Sequence, residues 1–161
     1  MTATFSCARE LFEAARDASR DAETIRVQLA KMEADAEGLG GGGFEPRVRS
    51  SSDPDRMGGR VAAMVDREAM LRDRLRWDYS VTDAACAVLY GEDNRSGLQR
   101  LVPSWWCDVL WWRYLDGAQW DEVADAVHYS ARRCQDVAAA ALDVADANGF
   151  MWTVRGVGSA T

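Results

Sequence analysis

The chain has 161 residues, 48% of them hydrophobic, and a formal net charge of −7. This length suits one domain, or one small domain with a helical extension, and three prolines among long runs of Ala, Arg, Asp and Glu predict helix almost throughout. The charge balance excludes a uniformly basic surface, no apolar run nears the ~20 residues of a membrane span, and Cys7, Cys86, Cys107, Cys134 and the lone His128 are too scattered for a metal site.

From Ala8, apolar residues recur at Leu11, Ala15, Ala18, Ala22, Ile25, Leu29, Met32 and Ala36, spaced alternately by three and four. That is a heptad seam, the pattern of a coiled coil or long helical hairpin. A helix of this kind is marginal alone in water and needs a partner, from the same chain or a second copy. Gly38 and Gly40 to Gly43 predict its end and the start of a linker over residues 38–51. Ser52-Asp53-Pro54-Asp55 is a strong helix start, followed by a second seam at Met57, Val61, Met64, Leu71 and Leu75. Glu68 interrupts that seam, and an Arg of the facing helix, such as Arg16 or Arg26, is expected to pair with it. The plain reading is an antiparallel packing of residues 5–37 on residues 53–77. Residues 47–76 hold eight Arg and five acids, read as a solvated face in preference to a phosphate-contacting flank.

Trp77-Asp78-Tyr79-Ser80 predicts a break, with a further helix over residues 82–90. Gly91 to Gly97 is a turn-rich loop, and Leu98 to Val102 a short helical turn before Pro103 and Ser104. From there the chain reads as helix, turn, helix, turn, helix. The first helix spans Trp105 to Asp116 and ends at Gly117, which is free to take the left-handed conformation. The second spans Trp120 to Val127, with Asp121 and Glu122 suited to its N-terminal dipole. His128-Tyr129-Ser130 makes a corner, and Ser130 is a good N-cap for a third helix running from Ala131 to about Asn148. Cys134, Val137, Ala138, Ala141 and Ala145 form its inward stripe, which leaves Arg132, Arg133, Gln135, Asp136 and Ala139 outward.

Val109-Leu110, Arg113-Tyr114-Leu115, Gly117, Trp120, Glu122-Val123-Ala124, Tyr129-Ser130, Arg132 and Ala141-Leu142 together resemble the helix-turn-helix of sigma-70 region 4, as carried by phage transcriptional regulators of the RinA/ArpU-like kind. RYLxGxxWxEVA followed by YSxR is the specific part. A weaker match lies at Ser50 to Met57 and Val65 to Glu68. The resemblance implies an all-α chain in which a long coiled-coil-like hairpin (1–90) precedes a helix-turn-helix domain (91–149) and an apolar-then-polar tail (150–161). It also implies double-stranded DNA as partner, with RNA polymerase or another protein, or a second copy, engaged by the hairpin. The N-terminus of the third helix is where such helices meet base edges. Arg reads guanine and Gln reads adenine, so Ser130, Arg132, Arg133 and Gln135 are the expected DNA-binding residues.

Six of the seven Trp follow residue 100. Trp105 and Trp112, seven apart, are expected to share a face. Trp112 and Trp120 are read as core, and Trp105, Trp106 and Trp111 as interface candidates. Residues 101–161 hold four bases and eight acids, a weak electrostatic anchor for DNA. The alternative is therefore an acidic helical interaction protein that keeps the helix-turn-helix shape without strong DNA binding. No GxSxG, Walker loop or catalytic Cys–His arrangement occurs, so neither enzyme activity nor a cofactor or metal is expected. With no basic-then-apolar leader and no CxxC, a cytoplasmic location with reduced thiols is expected.

Overall fold

The computed structural model describes residues 4–40 and 54–149, and every regular element among them is helical. Two long helices, α1 (Ala8–Gly40) and α2 (Pro54–Tyr90), precede a short 3₁₀ turn at Leu98–Arg100. Then come α3 (Ser104–Leu110), which continues as one π-helical turn over Trp111–Leu115, α4 (Trp120–Val127) and α5 (Ala131–Ala147). No described helix is long and apolar enough to cross a membrane. The C-terminal tail and most of the expected linker lie outside the described residues.

The heptad seam of α1 is buried from Ala8 to Ile25, half-buried at Leu29 and Met32, and exposed at Ala36. Glu33 meets Arg72 (3.6 Å), and Asp21 meets Arg74, whose Nε and Nη2 both donate to its carboxylate. That order is the one an antiparallel pair produces. Glu68 pairs with Arg72 on its own helix, four residues on, and not with Arg16 or Arg26. Side chains at that spacing are neighbours on a helix surface, so the local partner wins.

One expected boundary is shifted by two residues and another is absent. The first helix continues through Gly38 to Gly40; a glycine weakens a helix by roughly 1 kcal/mol but does not stop it. Residues 77–80 do not break α2 either, which runs unbroken for 37 residues. Ser80 Oγ donates to the Trp77 carbonyl (2.7 Å) and Thr82 Oγ1 to those of Asp78 and Tyr79. These hydroxyls are satisfied inside the helix instead of competing with it.

One core joins the early and late parts of the chain. Leu11, Phe12 and Ala15 of α1 and Val81, Ala85 and Leu89 of α2 lie in the same buried cluster as Leu98, Leu110, Val123 and Leu142. Phe12 meets Tyr114 edge to face at 5.6 Å. The Ala8 N–H donates to Asp146 on α5 (2.7 Å), and Ser19 Oγ to the Leu115 carbonyl. Each fully buried Phe or Leu contributes roughly 1.5–3 kcal/mol, so the C-terminal helices are anchored on the first half of α1 and the last part of α2.

The cysteines are all free thiols. Burial first, then the Asp108 carboxylate, push the Cys107 thiol up to about 11, so this side chain packs as an inert apolar group.

Candidate nucleic-acid interface

The site is built by three consecutive short connections. Gly117 sits at φ +83° and closes the π turn, with the Ala118 N–H donating to the Trp112 carbonyl (3.0 Å). The Gln119 N–H then donates to the Glu122 carboxylate (2.7 Å), which satisfies one orphan amide at the start of α4. His128 ends α4 in the left-handed conformation at φ 61°, and the Tyr129 N–H returns to the Ala124 carbonyl (3.2 Å). Ser130 is extended, and its Oγ accepts the Arg133 N–H (3.2 Å), so it caps α5 as expected.

One face of α5 is sealed. Cys134, Val137, Ala138, Ala141, Leu142 and Ala145 are buried against α3 and α4. Ser130, Arg132, Arg133, Gln135 and Asp136 are all exposed on its first two turns. Arg132 lies 3.4 Å from Asp136, but its side chain is 85% exposed, a pair of little strength that a competing anion can open. Arg133 has a different setting. Its guanidinium sits 6.0 Å above the Trp105 ring, and that ring stacks on Tyr129 at 4.2 Å. An aromatic shelf thus steadies one of the two arginines while leaving its donors to solvent.

Sequence periodicity does not show this shelf. Trp105 is on α3, Tyr129 is in the corner, and only the turn geometry joins them. Among the Trp expectations, Trp105 and Trp106 are half-buried and 6.3 Å apart, edge to face. Trp111 is 37% exposed. Trp112, read as core, is exposed as well and lies edge-on to Trp111 at 5.1 Å. It does not share a setting with Trp105, which packs against the core cluster while Trp112 does not. Trp120 does pack on the core, and the Arg113 guanidinium lies 4.6 Å over its ring.

The local field is mixed. Residues 117–148 carry Asp121, Glu122, Asp125, Asp136, Asp143 and Asp146 against Arg132 and Arg133 alone. Among the described residues no cluster of His, Cys, Asp and Glu is arranged to hold a metal ion. Comparison with protein-family models, with curated proteins and with solved structures finds no match for this chain.

Proposed function

We propose that this chain is a DNA-binding transcriptional regulator, phage- or prophage-encoded as its resemblance implies, with α4 and α5 acting as a sigma-region-4-like helix-turn-helix. In this reading the first two turns of α5 enter the major groove of double-stranded DNA. Arg132, Arg133 and Gln135 address base edges and Ser130 fixes the end of the helix against the backbone. The long α1–α2 pair dimerises the protein or docks it on RNA polymerase. One observation carries the reading: two arginines and a glutamine stand together, exposed, on the leading turns of a helix whose opposite face is fully buried.

The test is a screen of the folded protein against fragments of the genome that encodes it, at low salt. Retention of a discrete fragment supports the reading. A second reading has its own observation, the excess of six acids over two bases around α4 and α5. An acidic helical interaction protein would retain no fragment and would bind a basic protein surface instead.

A further inference from the structure

The chain has seven more acids than bases, yet it gathers arginines in one place without ion-pairing them. Arg9, Arg16 and Arg20 recur at i, i+7 and i+11, which puts them on one stripe of α1. Arg113 of the π turn lies against that stripe. Among the described residues Arg26, Arg72, Arg74, Arg76 and Arg132 each have a carboxylate within ion-pair distance; Arg9, Arg16, Arg20 and Arg113 have none. The Nε atoms of Arg16 and Arg113 are buried without a hydrogen-bond partner. Burial first, then the Arg16 charge, with Arg20 adding to it, lower the proton affinity of Arg113, while Tyr114 and Glu13 oppose the shift.

Position gives the cluster its meaning. Arg113 donates to the Ala118 carbonyl (3.0 Å) and lies on Trp120, the first residue of α4. The Arg20 stem runs past Gly117, where an added Cβ would sit 3.4 Å from its Cγ. An open hollow of about 630 Å³ lies beside Arg20, Arg26 and the turn from Leu115 to Gly117; Glu23 and Asp116 are its acids, and Glu23 is already paired with Arg26 at 3.4 Å. The cluster therefore stands at the entrance to the first helix of the α4–α5 unit, and most of its charge comes from the far end of the sequence.

We propose that Arg16, Arg20 and Arg113 form a phosphate-binding site that holds the sugar–phosphate backbone of a DNA duplex beside α4. The inference rests on the DNA-binding reading above and supplies the electrostatic anchor that the acidic C-terminal third lacks. Guanidinium groups suit phosphate because they offer paired donors and shed their hydration easily. An anion bound here relieves the mutual repulsion of the three cations.

Binding of a mixed-sequence duplex, followed by fluorescence anisotropy as salt is raised, tests the site. Each phosphate contact contributes about 0.9 to the slope of log affinity against log salt. Arg20→Gln, at an exposed position, is expected to flatten the slope by about 1, and Arg16→Gln with Arg20→Gln by about 2. The double variant is expected to bind at least ~10-fold more weakly. Glu13→Gln, which removes a carboxylate whose charge acts on Arg113, is expected to tighten binding. An unchanged slope and affinity in the double variant, while Arg132→Ala with Arg133→Ala abolishes binding, overturns this site and leaves the regulator reading standing. No duplex binding by the unaltered protein overturns both. Quenching of tryptophan fluorescence by inorganic phosphate, lost in the double variant while the duplex slope stays the same, assigns the site to a free anion and overturns the duplex assignment.

Discussion

Ser130 and Asp78 show how far single side chains govern this molecule. The Ser130 hydroxyl satisfies one of the amides that a helix start leaves open, and it sets where α5 begins. Ser130→Ala is expected to cost about 1 kcal/mol in denaturant unfolding; no loss would mean that packing alone positions α5. Asp78 is 5% exposed between the long helices and faces Asp21 and Arg74. Burial first, then Asp21, push its carboxyl up to about 6 from 3.8, against the pull of Arg74. Between those values the folded chain holds a proton that the unfolded chain has lost. Stability therefore falls as pH rises from about 4 to about 6 and stays lower above it. Asp78→Asn is expected to flatten that profile and to raise stability at pH 7 by about 2 kcal/mol. Thermal melts across this pH range check it, and an unchanged profile counts against the account.

At the scale of elements, the parts governed by neighbours in sequence were legible and the parts governed by neighbours in space were not. Gly117, the span of α4, the Ser130 cap and the inward stripe of α5 follow from local rules of turn and period, and the structure has them where those rules put them. The unbroken α2 was not legible, because Ser80 and Thr82 are turn formers unless a helix already offers them carbonyls. Nor was the π turn over Trp111–Leu115, which no residue spacing announces. The aromatic shelf under Arg133 and the arginine cluster each draw residues from two or more separate elements, and no spacing rule reaches that far. Gly117→Ala probes the connection between π turn and α4. An L side chain at φ +83° costs roughly 1–2 kcal/mol, so the melting temperature is expected to fall by several degrees. A neutral result would show that the turn relaxes without the left-handed residue.

At the scale of the whole molecule, the C-terminal helices cover only part of the long pair. Beyond them Val61, Met64 and Val65 remain exposed, by 61%, 42% and 58%, on a seam that Leu29 and Met32 only half fill. Residues 23–37 of α1 carry four acids and two bases, and residues 60–76 of α2 five bases and three acids. Asp35, Glu37, Arg60 and Arg67 have no ion-pair partner among the described residues. Under the dimerising reading proposed above, a second copy would lay its α1 along this α2 and meet both the apolar seam and the opposite charge. Sedimentation is expected to show a dimer that Val61→Glu with Met64→Glu converts to a folded monomer. A monomer at every concentration would contradict this arrangement.

DNA recognition as proposed depends on the exposed start of α5, and the most direct test compares the unaltered protein with Arg132→Ala/Arg133→Ala on one retained genomic fragment. Both side chains are solvent-facing, so melting temperature is expected to stay the same while specific affinity falls by about 1–3 kcal/mol for each arginine–base pairing removed. Equal affinity of the two proteins for that fragment would contradict the assignment of α5 as the helix that reads DNA.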